Sequence, residues 1–331
     1  MRFPISLNVR NAIRKRMDPP MAECNVTALR VQGYYKKQNE LPCEDAFKLK
    51  AFSKGQLLAA ADGHGDPKCL YAERGSRIAC EAAVEVLSRF VLDMRRRSPS
   101  EYWNEKRTDI ACAIALAFRH AVVDDYFSLP GQSCSEEELL ALHAQIDKSF
   151  EQEKLIVGGN NTAAALAHER RRTVSKIALL YGTTLRASVL SERYVFSLAV
   201  GDGDTVALLE SGERIWLIPK DEAFSTRTES MCEEPADLVG KFYFSFLPLA
   251  YGKRKAADSY ALDALVLSTD GLRNSFYSDG GYTDFLADVT EKLREKGEKT
   301  YARSLRRRLE TLTRDSCYGD DITLLIGSFK K

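Results

Sequence analysis

Hydrophobic residues recur with two different spacings along this chain of 331 residues. In several long stretches an apolar side chain returns every three or four positions, which is the spacing of one buried helical face. This pattern predicts helices from Arg77 to Arg97 and from Thr108 to Phe127, and two more late in the chain. A further helix is predicted to start at Ser135, because Ser135 and Glu138 have the spacing of an N-terminal capping box.

Short apolar runs bounded by turn residues lie between these stretches and are typical of strands. Many are separated by only a few residues, which is enough for a hairpin but too short for the crossover that joins parallel strands. The sheets are therefore predicted to be largely antiparallel, in an α+β fold with helices covering stacked sheets. The predicted strands are Val26–Val31, Ala46–Phe52, Leu57–Ala61, Ile177–Tyr181, Leu185–Leu190, Tyr194–Val200, Val206–Leu209, Ile215–Ile218, Ala264–Ser268 and Ile322–Ile326.

The composition indicates a folded protein without a strongly charged surface. Hydrophobic residues make up 44% of the chain, and 48 Lys and Arg nearly balance 47 Asp and Glu, for a formal net charge of +1. A protein that coats nucleic acid or an anionic membrane would carry a larger positive charge. The best candidate for a membrane span, Ala178 to Val200, is interrupted by Arg186, Glu192 and Arg193. We therefore expect no nucleic-acid partner and no membrane partner.

The cysteines and histidines restrict the chemistry. The eight cysteines include no C-x-x-C pair and several lie inside apolar runs, which favours packing roles in a reducing, cytoplasmic compartment. Only four histidines are present, and none has the H-x-H or H-E-x-x-H spacing of a zinc site. If the protein uses a metal ion, oxygen atoms are its expected ligands.

Acidic residues stand at the ends of several predicted strands. A single Asp-Gly pair is more often a turn than a ligand, as we expect for Asp279-Gly280. Several acids that converge on one sheet edge would instead repel each other unless a hard dication neutralised them. The acids at strand ends are Glu44, Asp45, Asp62, Asp202, Asp270, Asp320 and Asp321.

Ligation by oxygen alone favours Mg²⁺ or Mn²⁺ over zinc or copper. Two such ions that share a carboxylate activate water and absorb the charge that grows on phosphate oxygens. The sequence has no G-x-G-x-x-G after a strand and no G-x-S-x-G, so hydride transfer and acyl transfer are not predicted. Hydrolysis of a phosphate ester is the predicted reaction class.

The ordered motifs resemble those of the metal-dependent PP2C-type (PPM) serine/threonine phosphatases, over residues from about 26 to 327. The resemblance implies a four-layer αββα sandwich, in which two mostly antiparallel sheets are flanked by helix pairs. It also implies the removal of phosphate from Ser or Thr by direct attack of a water or hydroxide that bridges two ions. The motifs are Glu44-Asp45-Ala46-Phe47, Asp62-Gly63-His64-Gly65, Gly182-Thr183-Thr184, Val200-Gly201-Asp202, Ser268-Thr269-Asp270-Gly271 and Gly319-Asp320-Asp321-Ile322-Thr323.

The same resemblance implies the ligands of two ions, Mn²⁺ or Mg²⁺. Asp62 matches the carboxylate that bridges the ions, and the carbonyl of Gly63 matches a ligand of one of them. Asp270 and Asp320 match the ligands of the other ion. These residues form the core of the predicted metal site.

Further residues match outer positions of that site. Glu44 and Asp45 match acids that bind the metals largely through their waters, and Asp202 matches an acid that helps to hold a third ion in bacterial relatives. His64 matches a histidine suggested as the general acid for the leaving alkoxide, a role that suits a side chain with an ordinary pKa near 6.5. The alternative for His64 is a structural role in the turn.

The sequence departs from the family pattern at the phosphate and at the third ion. Where the family often has a phosphate-binding arginine, the chain has Glu40, so Lys36, Lys37 and Arg273 are the candidate phosphate contacts. The segment Gly201-Asp202-Gly203-Asp204 replaces the usual G-D-S-R, and Asn274 replaces a frequent acid. Two ions are therefore expected, and the third stays open.

The predicted domains are a basic extension over residues 1–22 and a phosphatase domain over residues 23–331. Residues 127–173 are predicted to be an insertion in the helical layer, and the family resemblance suggests a substrate-selecting flap. A bacterial cytoplasmic phosphatase acting on a phosphorylated protein, either the target of a Ser/Thr kinase or the kinase itself, is the leading hypothesis. Two alternatives are a pseudophosphatase that serves as a binding module and a hydrolase of small phosphorylated metabolites.

Overall fold

The computed structural model describes residues 24–94, 97–151, 161–219, 228–250 and 259–329. The predicted basic extension over residues 1–22 lies outside the described residues. The strands are β1 (Cys24–Val31), β2 (Ala46–Phe52), β3 (Gly55–Ala61), β4 (Leu185–Ser191), β5 (Tyr194–Val200), β6 (Asp204–Leu209), β7 (Arg214–Trp216), β8 (Tyr243–Pro248), β9 (Leu262–Ser268) and β10 (Ile322–Phe329). The helices are α1 (Tyr34–Gln38), α2 (Ala72–Asp93), α3 (Pro99–Ser128), α4 (Glu136–Glu151), α5 (Asn161–Leu180), α6 (Pro235–Gly240), α7 (Asp270–Arg273), α8 (Asp279–Lys296) and α9 (Glu298–Asp315).

The described strands form two five-stranded sheets. One has the strand order β1-β10-β9-β6-β7, and the other has the order β2-β3-β4-β5-β8. Neighbouring strands within both sheets pair antiparallel, as the short connections predict. Because sequence-distant strands meet in each sheet, the sheets depend on contacts that span the whole chain.

Three apolar cores separate four layers. On β3, Leu58 and Ala60 face the opposite sheet, whereas Leu57 and Ala59 face the helices, as the alternation of side chains along a strand requires. Helices α2 and α3 pack on the sheet that contains β3, and α4 and α5 pack against α3. Helices α8 and α9 cover the other sheet. The predicted αββα sandwich is therefore confirmed, with four long helices rather than a pair on one side.

The prediction of a strand over Ile177–Tyr181 is wrong, because residues 177–180 form the last turn of α5. The buried positions Val174, Ile177, Ala178 and Tyr181 follow a helical spacing. A five-residue window was too short to distinguish this spacing from that of a strand. The sequence analysis also missed β8, whose alternating aromatic residues complete the edge of one sheet.

The segment over residues 127–173 contains the end of α3, all of α4 and the first part of α5. The predicted N-terminal cap of α4 is present, since the backbone N–H of Glu138 donates to Ser135 Oγ at 3.1 Å. Leu142 and Ile146 bury one face of α4 in the core, so this part of the segment packs as an ordinary helix. The flap role stays a prediction. Within the described ranges no helix is both long and apolar enough to cross a membrane.

Candidate metal centre

Three carboxylates from the two sheets meet at one end of the sandwich. Asp62 follows β3, Asp270 follows β9 and Asp320 precedes β10. One oxygen from each can be chosen so that all three lie within 4.8 Å of one another. Three acids that the sequence analysis selected as metal ligands are thus brought into one cluster.

Backbone hydrogen bonds fix the turn that carries Asp62. The N–H of Asp62 donates to Thr184 Oγ1 at 3.0 Å, and the N–H of Thr184 donates to the carbonyl of Asp62 at 2.8 Å. The N–H of Gly63 donates to the carbonyl of Glu44 at 3.2 Å. A Cβ on Gly63 would lie 2.7 Å from the carbonyl oxygen of Ala72, so the turn requires glycine here. The Gly-Thr-Thr motif therefore acts as a support for Asp62.

Asp270 begins α7, and its two carboxylate oxygens differ. Oδ2 accepts a hydrogen bond from Asn274 Nδ2 at 2.8 Å, whereas Oδ1 is buried and has no hydrogen-bond partner among the described residues. The position where a family acid was expected is thus used to orient Asp270. The orphaned oxygen is left facing the acidic cluster.

Asp45 is fully buried behind the three clustered acids. Its Oδ2 accepts from Thr269 Oγ1 at 2.8 Å, and its Oδ1 has no partner within the described part of the chain. Burial, and next the charge of Asp321, raise the pKa of Asp45 to about 8. A second carboxylate oxygen is therefore buried without a hydrogen bond from the described residues.

Asp321, which the sequence analysis grouped with Asp320 without assigning it a role, holds the surrounding backbone together. Its Oδ1 accepts from the N–H of Gly33 at 2.6 Å, and its Oδ2 accepts from the N–H of Glu44 at 2.7 Å and from Lys36 Nζ at 2.8 Å. The two adjacent acids thus have different contacts: Asp320 joins the acidic cluster, whereas Asp321 accepts hydrogen bonds from the backbone and from Lys36. A pair of neighbouring acids directly before a strand could have signalled this, because successive residues of extended chain face opposite sides.

Lys36 lies among the acids. Its Nζ is 2.8 Å from Glu44 Oε2 and 3.5 Å from Asp320 Oδ1, in addition to its bond to Asp321. Burial alone would lower the pKa of Lys36, but the charge of Asp321 and the hydrogen bonds to Asp321 and Glu44 raise it above its ordinary value. Lys36 is therefore a permanent positive charge at the edge of the cluster.

The other two candidate phosphate contacts point elsewhere. Lys37 is exposed and lines a neighbouring cleft. Arg273 Nε lies 3.5 Å from Asp204 Oδ2, in an ion pair whose acid is buried. Among the three candidates, the structure places only Lys36 beside the acids.

His64 lies on the turn after Asp62, and its backbone N–H donates to the carbonyl of Gly182 at 3.0 Å. Its ring Nε2 is buried and has no hydrogen-bond partner in the described ranges. Burial lowers the pKa of His64, against the opposing charges of Asp202, Asp66 and Glu233. The ring therefore keeps Nε2 available for exchange of a proton.

The altered Gly201-Asp202-Gly203-Asp204 segment is mainly structural at its last residue. Asp204 is buried and accepts from Trp216 Nε1 at 3.3 Å. Asp202 lies nearer the acids. After burial, the charge of Asp202 is the next largest cause that raises the pKa of Asp270. Its Oδ2 accepts from Thr228 Oγ1 at 3.1 Å. Of the two acids in this segment, Asp202 is therefore the one whose charge acts on Asp270.

The electrostatics of the cluster fit a bound dication. Burial, and then the charges of Asp45, Asp270 and Asp320, raise the pKa of Asp62 well above its ordinary value. Burial and the charge of Asp202 raise the pKa of Asp270 to about 6. A hard cation would remove this repulsion and satisfy the orphaned oxygens of Asp45 and Asp270. The donor set is entirely oxygen, which suits Mg²⁺ or Mn²⁺.

The fold is thus an αββα sandwich with a cluster of three acids at one end that could hold a metal ion. The profile of the family described as Protein phosphatase 2C matches residues 32–310, and the chain belongs to this family. Proteins of this family are protein phosphatases, which are hydrolases.

Solved structures share the fold at low sequence identity. The serine/threonine phosphatase Stp1 from Staphylococcus aureus is 14% identical, with a TM-score of 0.52 over 96% of this chain and 100% of that chain. A bacterial serine phosphatase is 15% identical, with a TM-score of 0.51 over 93% and 98% of the two chains. The catalytic domain of PstP, described in complex with two manganese ions, is 18% identical with a TM-score of 0.46 over 93% and 99%. No curated protein sequence matches this chain significantly.

Proposed function

We propose that this protein is a metal-dependent phosphatase that hydrolyses phosphoserine or phosphothreonine in proteins. The observation that carries the proposal is the convergence of Asp62, Asp270 and Asp320 within 4.8 Å, with a buried Asp270 oxygen that lacks a partner among the described residues. A structural role alone would leave this repulsion uncompensated.

Asp62, Asp270 and Asp320 would hold Mn²⁺ or Mg²⁺ together with the Gly63 carbonyl, and Asp45 and Glu44 would complete the outer shell. Two ions bound there would activate water for attack and neutralise the charge that grows on the phosphate oxygens. The number of ions follows from the family resemblance, and Asp202 would belong to the outer shell or to a third ion.

Of the three candidates, Lys36 is the one that would bind the substrate phosphate, because its ammonium group lies at the acids. It would do so by exchanging its longest contact, 3.5 Å to Asp320 Oδ1, for a phosphate oxygen. His64 would act in the imidazolium form, which the charges of Asp202, Asp66 and Glu233 favour, and would donate the Nε2 proton to the oxygen of the departing Ser or Thr side chain. Its Nε2 is left without another partner among the described groups.

Turnover by the purified protein with a matched pair of variants tests this proposal. We expect hydrolysis of p-nitrophenyl phosphate and of a phosphothreonine peptide with Mn²⁺ or Mg²⁺, and none in EDTA. Asp62→Asn should lower kcat by at least about 100-fold, because an amide is a poorer ligand for a hard cation. Asp279→Asn, on the exposed first residue of α8, should be nearly silent.

Circular dichroism spectra of both variants serve as the control for folding. A folded wild-type protein without turnover under any metal would favour the pseudophosphatase alternative. Strong turnover of small phosphate esters without turnover of the phosphopeptide would favour a metabolite hydrolase. Near-native activity in Asp62→Asn would refute the assignment of the site.

A further inference from the structure

A basic cleft lies beside the acidic cluster. It has a volume of about 400 Å³ and is bounded by α1, β1 and α9. Three of its lining residues are basic, and one described lining residue is acidic. We define the basic cleft by the lining residues Arg30, Tyr34, Lys37, Cys43, Arg306 and Glu310.

The three cations of the basic cleft are not neutralised by the surrounding protein. Arg30, Lys37 and Arg306 are exposed, and none forms an ion pair with a carboxylate of the described residues. Arg306 Nη1 donates to the carbonyl of Arg30 at 3.0 Å, and Arg30 Nη1 donates to the carbonyl of Asp45 at 2.8 Å. Backbone bonds thus position two guanidinium groups while their charges stay available. With Glu310 opposing, the cleft has an excess of about two positive charges.

The basic cleft and the acidic cluster are connected through Asp45 and through helix α1. Arg30 contacts the carbonyl of Asp45, whose carboxylate accepts from Thr269, the residue before Asp270. Lys36 and Lys37 are adjacent in α1, and the first contacts the acids while the second lines the cleft. A peptide whose phosphorylated residue lies at the acids therefore needs only a few more residues of extended chain, at about 3.3 Å each, to reach the cleft.

We propose that the basic cleft binds an acidic segment of the phosphoprotein substrate, close in sequence to the phosphorylated residue. This inference rests on the proposed phosphatase function and specifies its substrate class. A few carboxylates match three cations in a small cleft, and the exposed ring of Tyr34 offers a face for the peptide backbone. A long polyanion such as nucleic acid would need a more extended basic surface than Glu310 and the net charge of +1 allow.

The test compares phosphothreonine peptides that have aspartates about three residues before or after the phosphothreonine with peptides that have asparagines there. We expect kcat/KM to be about fivefold higher for at least one acidic peptide, mainly through KM. The double variant Lys37→Gln/Arg306→Gln should lose this preference. The double variant Arg303→Gln/Arg307→Gln removes two exposed charges from α9 outside the cleft lining and should keep it. Turnover of p-nitrophenyl phosphate should be the same in all three proteins.

Binding of a fluorescent, unphosphorylated acidic peptide, followed by anisotropy in the same three proteins, decides the proposal without turnover. Weaker binding only in Lys37→Gln/Arg306→Gln supports the cleft even if the phosphatase proposal fails. Equal kcat/KM for acidic and neutral peptides, or equal anisotropy in all three proteins, would overturn the cleft while leaving the phosphatase proposal intact. Loss of the preference in the Arg303→Gln/Arg307→Gln control would also overturn it, since the effect would then be general electrostatics.

Discussion

Two adjacent acids at the start of β10 have opposite surroundings. Asp320 is partly exposed and joins the cluster with Asp62 and Asp270. Asp321 is buried and accepts hydrogen bonds from two backbone N–H groups and from Lys36. Three donors occupy most of the lone-pair sites of this carboxylate, and Asp321 lies outside the cluster of Asp62, Asp270 and Asp320. It positions Lys36 instead.

We predict that Asp321→Asn lowers the free energy of unfolding by about 1–3 kcal/mol. The amide replaces one acceptor oxygen with a donor, which leaves a backbone N–H unpaired and removes the charge that pairs with Lys36. Urea denaturation measures the effect. Asp315→Asn, at the exposed end of α9, should change the value by less than about 0.5 kcal/mol. Equal stability of the two variants would contradict the assigned role.

At the scale of elements, the shortest helix of the described chain sets the position of one candidate ligand. Helix α7 has four residues and begins at Asp270 directly after β9. The backbone of Gly271 packs so closely on β10 that a Cβ there would overlap the carbonyl oxygen of Asp321. Thr269, which precedes α7, donates to Asp45 and accepts from the N–H of Thr323 at 2.9 Å. Thr269 thus links Asp45 to β10, and it directly precedes Asp270 in the chain.

We predict that Gly271→Ala destabilises the protein by about 1–3 kcal/mol and lowers phosphatase turnover, because α7 must move away from β10 and carry Asp270 with it. Gly280→Ala is the matched control, since a Cβ there would lie 3.8 Å from Ser278 Oγ, at ordinary contact distance. Urea denaturation and kcat of both variants make the comparison. If Gly271→Ala were as stable and as active as Gly280→Ala, the close packing of α7 would not matter.

At the scale of the whole molecule, the acidic cluster exists only when the two sheets stack. Asp62 belongs to the sheet of β3, whereas Asp270 and Asp320 belong to the sheet of β9 and β10. Folding therefore brings carboxylates of separate sheets together and partly buries them. Their mutual repulsion makes the stability of the protein depend on pH and on cations.

We predict that, in EDTA, the free energy of unfolding falls as pH rises from about 4 to about 8. The pKa is raised to about 8 for Asp45 and to about 6 for Asp270, so the folded state keeps protons that the unfolded state has released. Each group that stays protonated contributes a slope of about −1.4 kcal/mol per pH unit. Urea denaturation across this range measures the slope.

Addition of Mn²⁺ or Mg²⁺ should flatten that slope, with the largest gain in stability at the highest pH, because metal binding competes with protons for the carboxylates. The Asp62→Asn variant should respond less to the metal. A free energy of unfolding that rises with pH in EDTA would contradict the proposed repulsion among the acids.

Most of the helices and strands, and the identity of the clustered acids, were predictable from the amino-acid sequence. Strand β5 was readable because apolar residues occupy both of its faces, and β2 was readable because Phe47, Leu49 and Ala51 alternate with two lysines. Turn residues follow both strands. Asp62, Asp270 and Asp320 were readable because each stands at the end of such a strand in an ordered set of motifs. The position of a residue at the end of a strand is visible in the local sequence, because the apolar run that marks the strand stops there.

The contacts of the individual polar residues could not be predicted from the sequence and are seen only in the tertiary structure. Lys36, Lys37 and Arg273 were equal candidates because each is basic and lies near a motif in the sequence. Only the packed structure places Lys36 at the acids, Lys37 in the basic cleft and Arg273 beside Asp204. The role of Asp321 was likewise hidden, since its partners Gly33 and Glu44 are more than 270 residues away in sequence. Long-range hydrogen bonds of this kind form only after the strands pair, so no local window of the sequence contains them.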